Sequence, residues 1–595
     1  MTRPRLALSL LALASCSQSP VVAVDAAAVD APEVAAPDDI ADAAVEPEDV
    51  ADVPPPPPPD RTVQSCAEVV IEGAAAQAST RIEGWPMVYG EARGADLVFV
   101  APAVAHPVTL SVASLRVEVR PRPEAGLELP GLASDCGPFA HGVASGDPGS
   151  DRVTLWTRLA PRDPAPTVTW VVATDPWLRE VVARGEAVAR SDRDGAAHVV
   201  VTGLAPATTY YYRFATADGA RSALGRTRTA AVGSLSHARF AVASCSSLFS
   251  GYFNAYRRLA ERDDLDLFVH LGDYIYDFVD AQERVRVPAS GEVEALTDLA
   301  SHRRRHALYL RDPDLRAARA AHPWFMLWDN HDMERSAPAW GGGVQAFRDW
   351  NPLPPQADGD APERIYRTLR YGDLVDLYAV DVFVFEGRER LPGDAGASVL
   401  GAAQYDWLTA SLRESRARWR LLGMQKVFTE FSAFSGWQEY PAARSRLIRF
   451  FQEQRVVDNV FLTGDSHFTV YQDVVDDPVN PARPYDPDAG AGAVGAEFLP
   501  TSITRGNFDE QLGASASTVL PGVRAGFLRR NPHQVDLELA SHGYGVVDVR
   551  PERVVAEVWF SPILEVSERE TFFGGYAVPR GANRYQRARI AEPTR

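Results

Sequence analysis

Residues 270–277 read His-Leu-Gly-Asp-Tyr-Ile-Tyr-Asp and follow directly on the largely apolar run 265–269. A run of this length without an amphipathic face predicts a strand buried on both sides of a sheet. Gly272 ends the predicted strand and Asp273 comes immediately after it. Ligands of open α/β sheets bind beyond the carboxyl ends of strands, so Asp273 is a candidate functional carboxylate. Tyr276 lies three residues further on and can turn back to the same point. Taken alone, the motif is equally well explained as a strand-ending turn.

The same pattern, a short apolar strand followed by polar side chains, recurs along the chain. Further strands are predicted at 240–243, 325–328 and 460–463, and helices at 251–262 and 404–418. This alternation predicts a layered α/β architecture. Four strand ends deliver side chains that can bind metal ions: Cys245, Asp273 with Tyr276, Asn330 with His331, and Asp465 with His467. Thiolate, carboxylate, phenolate and imidazole groups are natural metal ligands, and an amide oxygen suits a hard cation. Four such ends together predict a two-metal site.

Composition narrows the classes of partner. The chain has 595 residues, a formal net charge of -19 and 46% hydrophobic residues, which fits two to four globular domains. Such an acidic chain is not expected to bind nucleic acid, because nucleic-acid binders need a basic face. Binding to an anionic membrane surface by charge alone is disfavoured for the same reason. An anionic substrate would need a local positive centre, which a metal ion can supply.

The first sixteen residues have the form of an export signal. Two arginines precede the apolar run 6–14, which is too short to span a bilayer. The run ends in Leu-Ala-Ser-Cys at Cys16, which resembles the bacterial lipoprotein processing box. By that resemblance the signal (residues 1–16) is cut before Cys16, which becomes lipidated. This predicts a lipid-anchored protein of the cell envelope or cell surface, with Ser17 pointing to the outer membrane. An ordinary signal and a secreted or periplasmic protein are the alternative.

Two segments without predicted chemistry follow the signal. Residues 17–65 are rich in Ala, Val, Asp, Glu and Pro, with six consecutive prolines at 54–59. This composition predicts a disordered linker with a stiff polyproline spacer. Residues 66–136 contain short β-type runs and form a predicted small β-rich domain. Cys66 and Cys136 could form a disulfide in an exported protein, but pairing does not follow from the sequence.

Residues 137–232 are predicted to form a β-sandwich. Alternating runs such as 152–159 support this, and the stretch 203–214 contains three consecutive tyrosines. That stretch resembles the tyrosine-corner region of fibronectin type III-like domains, in which a Tyr hydroxyl caps a crossover. We assign this domain a structural role only.

The order of the strand-end blocks resembles the calcineurin-like metallophosphoesterases, and most closely their alkaline phosphatase D branch. The resemblance covers about residues 137–560 and rests on ordered blocks: 139–148, Ser244-Cys245, 251–257, 270–276, 312–315, 329–332, 464–467 and 542–544. It implies a metallophosphoesterase β-sandwich core flanked by helices at 233–564, behind the fibronectin-like domain. The remaining tail, 565–595, is expected either to be a lid over the site or to pack on the domain surface.

The resemblance also implies a site and an activity. Trivalent iron would be held by Cys245, Asp273, Tyr276 and His467, since thiolate and tyrosinate suit this ion better than zinc or magnesium. Asp273 would bridge to a second divalent ion, taken as calcium. The residues that would assist the second ion are Asn330 and Asp465, with Gln425 as a further oxygen ligand. A metal-bridging hydroxide would attack the phosphorus of a phosphate ester, and His331 would protonate the leaving oxygen.

Two departures from the branch leave the substrate open. The branch usually has an aspartate where this chain has Asn330, and the arginine usual after an aspartate near a later strand is missing at Asp381. Preference for monoesters or diesters therefore does not carry over, and neither does the oligomeric state. A phospholipase D-type phosphodiesterase remains an alternative. So does a non-catalytic surface lipoprotein with a decayed site, although the presence of the ligand set argues against decay.

Overall fold

The computed structural model describes residues 59–72, 74, 81–112, 115–122, 129–133, 137–333, 339–356, 361–384, 398–431 and 436–594. These ranges leave out the predicted signal with the lipidation site Cys16, nearly all of the predicted linker 17–65, and Cys136. Cys66 is disulfide-bonded. In the described ranges no helix has both the length and the apolar character needed to cross a membrane.

The described chain is built mainly from β-strands. The strands are β1 Arg61–Gln64, β2 Glu68–Ile71, β3 Glu91–Arg93, β4 Asp96–Val100, β5 Val108–Val112, β6 Leu115–Arg120, β7 Val143–Gly146, β8 Arg152–Arg158, β9 Thr167–Ala173, β10 Val181–Val188, β11 Ala196–Thr202, β12 Thr209–Thr216, β13 Gly225–Arg228, β14 Ala238–Ala243, β15 Leu267–His270, β16 Pro323–Met326, β17 Arg367–Tyr371, β18 Val375–Val380, β19 Trp419–Met424, β20 Asn459–Leu462, β21 Thr469–Val474, β22 Gly495–Leu499, β23 Gln534–Glu538, β24 Gly543–Arg550, β25 Arg553–Phe560 and β26 Thr571–Pro579. The α-helices are α1 Asn254–Glu261, α2 Leu299–Tyr309, α3 Pro313–Ala321, α4 Asn330–Met333, α5 Ala339–Trp350, α6 Gly401–Glu414, α7 Pro441–Glu453, α8 Phe508–Leu512 and α9 Ala516–Arg530.

The N-terminal β unit consists of two three-stranded sheets, β1-β6-β5 and β2-β4-β3. Their apolar faces share one core that includes Val69, Phe99, Leu110 and Val117. The sequence places the end of the linker at residue 65, and this boundary is wrong. β1 already pairs in parallel with β6 along its whole length, so the folded unit starts no later than Arg61.

The second β unit is a sandwich that is not separate from the catalytic part. The sheet β10-β9-β12-β13 shares a core with β8 and β11, and Tyr210 Oη accepts a hydrogen bond from the Ala205 N–H at 2.8 Å. That contact is the tyrosine-corner geometry expected from the sequence. However, β7, β8 and β11 also continue the main catalytic sheet, because β7 pairs in parallel with β16. The specific likeness to fibronectin type III domains stays a prediction.

The catalytic part consists of two large mixed sheets with helices outside them. The nine-stranded sheet has the order β11-β8-β7-β16-β15-β14-β24-β25-β26, and the seven-stranded sheet has the order β17-β18-β19-β20-β22-β21-β23. Side chains from both sheets lie in one buried cluster, so the sheets pack face to face. β15, the strand before the 270–277 motif, is the central strand of its sheet and is parallel to both neighbours. The layered α/β architecture is therefore present, with the motif at its centre.

The C-terminal tail takes the second of its two predicted forms. β26 is the edge strand of the nine-stranded sheet and pairs with β25. After it, Tyr585 is fully buried, Arg587 makes an ion pair with Asp473 at 2.5 Å, and the Thr594 hydroxyl donates to Glu557. These contacts hold the tail along the sheet edge as part of the folded domain, so the lid interpretation is wrong.

Candidate metal centre

Strand ends of both sheets meet at one buried site. β14 leads to Cys245, β15 leads to Asp273, and β20 leads to Asp465 and His467. β16 ends at Met326, two residues before the predicted end, so a short loop carries Asp329 before α4 begins. The neighbouring parallel strands β14, β15 and β16 end at one edge of their sheet, and face-to-face packing of the two sheets brings the end of β20 to the same place.

The backbone at these positions is held in an unusual conformation. Cys245, Asp273, Asp465 and His467 all have positive φ angles, of 59°, 54°, 68° and 63°. Non-glycine residues adopt this left-handed region at a cost of about 1–3 kcal/mol each, and such residues cluster at functional sites. Gly272 has a φ of 107°, and a Cβ there would lie 2.8 Å from the carbonyl oxygen of Trp328. Only glycine lets the β15 turn approach the β16 turn this closely.

A first group of ligand atoms converges on one oxygen of Asp273. Cys245 Sγ lies 3.7 Å from Asp273 Oδ2, and the Tyr276 hydroxyl donates to the same oxygen at 3.1 Å. Tyr276 Oη is also 3.5 Å from His467 Nε2. Ligand atoms of Cys245, Asp273 and His467 all lie within 4.8 Å of one another. Four of the residues predicted as iron ligands are thus brought together.

A second group shares Asp273 and consists of carboxylates. Ligand oxygens of Asp273, Asp329 and Asp465 lie within 4.8 Å of one another, and all three residues are buried. Burial and then the neighbouring carboxylates Asp273 and Asp465 raise the pKa of Asp329 well above its ordinary value. Three buried carboxylates at this distance repel one another unless a cation lies between them. The donor set therefore fits a hard metal ion, and the shared Asp273 fits a bridge between two ions.

The imidazole of His467 is oriented as a neutral ligand. Its Nδ1 lies 3.0 Å from the carbonyl oxygen of Gly506, so Nδ1 carries the proton and Nε2 faces Tyr276. Burial, followed by the charge of Arg505, lowers the pKa of His467 well below its ordinary value. A neutral imidazole with its second nitrogen hydrogen-bonded to a carbonyl is the usual state of a histidine ligand.

His331 lies beside the first group and is paired with a carboxylate. Its Nδ1 is 2.5 Å from Asp277 Oδ1, its ring stacks on Tyr276 at 4.3 Å between centroids, and its backbone N–H donates to Asp273 Oδ1. Burial would raise the pKa of Asp277, but the hydrogen bond and charge of His331 lower it overall. Sequence reasoning missed Asp277, because its position four residues after Asp273 does not reveal a partner in another segment.

Two other predicted ligands behave differently. The Gln425 side chain ties strand ends together, and its role as a further oxygen ligand stays a prediction. It accepts from the Val382 N–H at 2.9 Å and donates to the Trp328 carbonyl at 2.7 Å. Asn330 is half-buried, and its role as a ligand stays a prediction. Its backbone N–H donates to the carboxylate of Asp329. Asp329 was not predicted as a metal ligand from the sequence.

Two buried cations beside the site were also missed. Arg505 follows β22, pairs with Asp280 and Glu283, and places its guanidinium 5.2 Å from the centre of the Tyr276 ring. Lys426 follows β19, and its charge opposes the rise in the pKa of Asp329. Lys426 comes two residues after the end of β19, so the strand-end rule could have found it, whereas Arg505 lies six residues beyond β22. Lys426 adds positive charge near the second group, while the charge of Arg505 is balanced by Asp280 and Glu283.

Comparison with known proteins agrees with this geometry. The model of the PhoD-like phosphatase family matches residues 240–558, and that of the PhoD-like phosphatase N-terminal domain matches residues 128–231. The chain is 33% identical over 479 residues to alkaline phosphatase D of Bacillus subtilis (strain 168), covering 72% of this chain and 78% of the relative. The chain belongs to the PhoD-like phosphatase family.

A solved structure supports the assignment at the level of the fold. The structure of PhoD superposes with a TM-score of 0.66 at 29% identity, covering 80% of this chain and 94% of that one. This PhoD-like phosphatase is therefore a metal-dependent phosphoric ester hydrolase with a metallophosphoesterase-like fold. The convergence of ligand atoms from Cys245, Asp273, Asp465 and His467 argues against the alternative of a decayed, non-catalytic lipoprotein.

Proposed function

We propose that the first ligand group holds trivalent iron. Cys245, Asp273 and Tyr276 supply three groups that can each carry one negative charge, and His467 adds a neutral nitrogen. Three anionic donors balance the charge of a trivalent ion in a buried site, whereas a divalent ion would leave a net negative charge. The observation that carries this proposal is the convergence of the Cys245 thiol and the Tyr276 phenol on one oxygen of Asp273, with the His467 imidazole beside them.

The second group is proposed to hold calcium. Asp329 and Asp465 offer only oxygen atoms, and Asp273 belongs to both groups. Asn330 would add a neutral oxygen next to Asp329. Calcium accepts six to eight such ligands in flexible geometry, so a mixed set of carboxylates and an amide suits it. Two cations at this centre would lower the pKa of a bound water and neutralise charge on the phosphoryl group.

His331 is proposed as the general acid. Its Nδ1 is engaged by Asp277, which leaves Nε2 as the atom that can pass a proton to the leaving oxygen. Because the pKa of Asp277 is lowered, its carboxylate stays ionised and stabilises the protonated imidazole. Stacking on Tyr276 fixes the plane of the ring beside the first group. Departure of an alkoxide is the step that this proton makes easier.

The chain is further proposed to act outside the cytoplasm, anchored through a lipid on Cys16. The support is the sequence alone: basic residues, an apolar run and a lipoprotein-type box. A Cys16→Ser variant should lose incorporation of labelled palmitate and leave the membrane fraction. Unchanged membrane association of that variant would contradict the anchor.

Hydrolysis of model esters by purified protein tests the metal assignment. We expect cleavage of p-nitrophenyl phosphate or bis-p-nitrophenyl phosphate with iron and calcium present. Removal of metal by chelation should abolish it, and restored iron and calcium should recover it. Asp273→Asn removes one charge from both groups and should lower kcat by at least about a hundredfold. Full activity of metal-free protein or of Asp273→Asn would contradict the proposed centre.

A further inference from the structure

A hydrogen-bonded ring lies behind the candidate ligand His467. The ring begins at the capping box of α8, whose N-cap is Asn507 and whose third residue is Glu510. The Asn507 N–H donates to Glu510 Oε2 at 2.7 Å, and the Asn507 side-chain amide donates to the carbonyl oxygen of His467 at 3.1 Å. One oxygen of Glu510 thus reaches the backbone of His467 through a single residue.

The other oxygen of Glu510 reaches the same carbonyl by a different route. His542 Nε2 lies 3.1 Å from Glu510 Oε1, and His542 Nδ1 lies 3.0 Å from Ser502 Oγ. The Ser502 N–H then donates to the carbonyl oxygen of His467 at 3.1 Å. Both arms of one carboxylate therefore converge on one backbone atom of a candidate ligand, and this closes the ring.

The Glu510–His542 arm is a buried ion pair. The Ser502 hydroxyl donates to the carbonyl of Arg505, so it can only accept from His542 Nδ1. His542 Nε2 donates to Glu510, so both ring nitrogens carry protons. Burial opposes both charges, yet the pair raises the pKa of His542 and lowers that of Glu510 to about 2. Removing one member of such a pair leaves a buried charge without its counterion, so the ring depends on both.

The capping box also bears on the orientation of the imidazole. Gly506, whose carbonyl oxygen accepts from His467 Nδ1, directly precedes Asn507. A Cβ at Gly506 would lie 2.2 Å from the Glu283 carboxylate, so the turn is packed tightly from the other side. Displacement of Asn507 would therefore move two groups that hold His467. One is the Asn507 side-chain amide, which donates to the His467 carbonyl, and the other is the Gly506 carbonyl, which orients the His467 imidazole.

We propose that Glu510 is a positioning residue, which holds His467 in its metal-binding orientation through Asn507 and through His542 and Ser502. This inference rests on the proposed metal centre. Groups that contact a metal ligand directly typically contribute about tenfold to a hundredfold to metal affinity, and Glu510 holds two such groups, Asn507 and Ser502, in place. Glu510 itself would touch neither metal nor substrate, so its effect should appear first in metal affinity.

The test compares three variants of the full chain after removal of metal. Glu510→Ala breaks both arms, whereas Glu510→Gln keeps the cap on Asn507 and loses the ion pair with His542. Ser301→Ala is the matched control, because Ser301 is the third residue of the capping box of α2 and lies outside the ring. The measurements are the Co²⁺ dissociation constant, from the thiolate-to-cobalt absorption of Cys245, and the melting temperature of the metal-free protein.

We expect Glu510→Ala to weaken Co²⁺ binding by about tenfold to a hundredfold and Glu510→Gln by less. Ser301→Ala should lower the melting temperature but keep the wild-type dissociation constant. Wild-type affinity in both Glu510 variants would overturn the positioning role, as would equal losses in Glu510→Ala and Ser301→Ala. If Glu510→Ala does not fold, Glu510→Gln decides by the same criterion. Failure of the wild-type protein itself to bind Co²⁺ through Cys245 would instead overturn the metal centre, and the positioning role with it.

Discussion

At the scale of single residues, the pairing of His331 with Asp277 gives the sharpest chemical prediction. If His331 protonates the leaving oxygen, His331→Asn should lower kcat by about 10²–10⁴-fold for an alkyl phosphate ester. The loss should be much smaller for a p-nitrophenyl ester, because nitrophenolate departs without a proton. Asp277→Asn should show the same dependence on the leaving group, since it removes the charge that stabilises the protonated imidazole. Equal losses on both esters would contradict the role of general acid.

Sequence reasoning reached the residues that lie at strand ends but not those that meet them from other segments. Cys245, Asp273, Asp465 and His467 each follow a short apolar strand, and the carboxyl ends of strands are where α/β folds place their sites. The contact between Asp277 and His331 depends on two turns folding against each other. No spacing in the sequence encodes that contact, and the same is true of Glu510 behind His467.

Asp329 was missed for a related reason. The sequence predicts β16 over 325–328, but the strand starts and ends two residues earlier, so Asp329 lies in a loop rather than directly at a strand end. The motif resemblance drew attention to Asn330 instead. The mutual approach of three carboxylates becomes visible only in three dimensions.

At the scale of elements, one carboxylate fastens the β15 turn to the start of α4. Asp332 accepts from the Ile275 N–H at 3.0 Å and from the Asp329 N–H at 2.9 Å. Burial, followed by the nearby Asp273, raises the pKa of Asp332 to about 8. Asp332 therefore holds together, through these hydrogen bonds, two turns that carry candidate metal ligands.

Asp332→Ala should leave two buried N–H groups without acceptors. Each lost acceptor costs about 1–3 kcal/mol, so the free energy of unfolding should fall by about 2–6 kcal/mol. Asp332→Asn keeps one acceptor oxygen and should fall between Asp332→Ala and the wild type. Urea unfolding of the three metal-free proteins measures this series. Wild-type stability of Asp332→Ala would show that the carboxylate does not fasten the turns.

At the scale of the whole molecule, buried histidines make the fold sensitive to acid. Burial is the main cause that lowers the pKa of His198 and His533 to about 4, and that of His270 and His322 to about 3. These four imidazoles stay neutral in the folded protein, whereas their pKa in the unfolded chain is about 6.5. The unfolded chain therefore binds more protons below that pH, so stability is present above about pH 6.5 and is lost as the pH falls toward 3.

His322→Gln isolates one of these contributions. The wild-type imidazole pairs with the carbonyl of Leu259 at 2.8 Å, which a glutamine amide can also do. Relative to wild type, the variant should gain up to about 1.4 kcal/mol in unfolding free energy for each pH unit below about 6.5. Urea unfolding between pH 8 and pH 4 measures the difference. A difference that stays constant over this range would contradict the assignment of a neutral, buried His322.

The overall architecture was predictable from periodicity and motif order, but the connection between its parts was not. Alternating strands and helices indicated a layered α/β core, and alternating apolar runs indicated the sandwich before it. The pairing of β7 with β16 joins them into one nine-stranded sheet. Such long-range pairing leaves no mark on local periodicity, because either strand would look the same at a free edge.

The proposed function depends most on an iron-containing centre built around Asp273 and Tyr276, and metal analysis with visible absorption on one purified sample tests this directly. The expected result is one equivalent of iron per chain and a charge-transfer band that weakens or shifts in Tyr276→Phe. A colourless, iron-free protein that hydrolyses phosphate esters at full rate would contradict it.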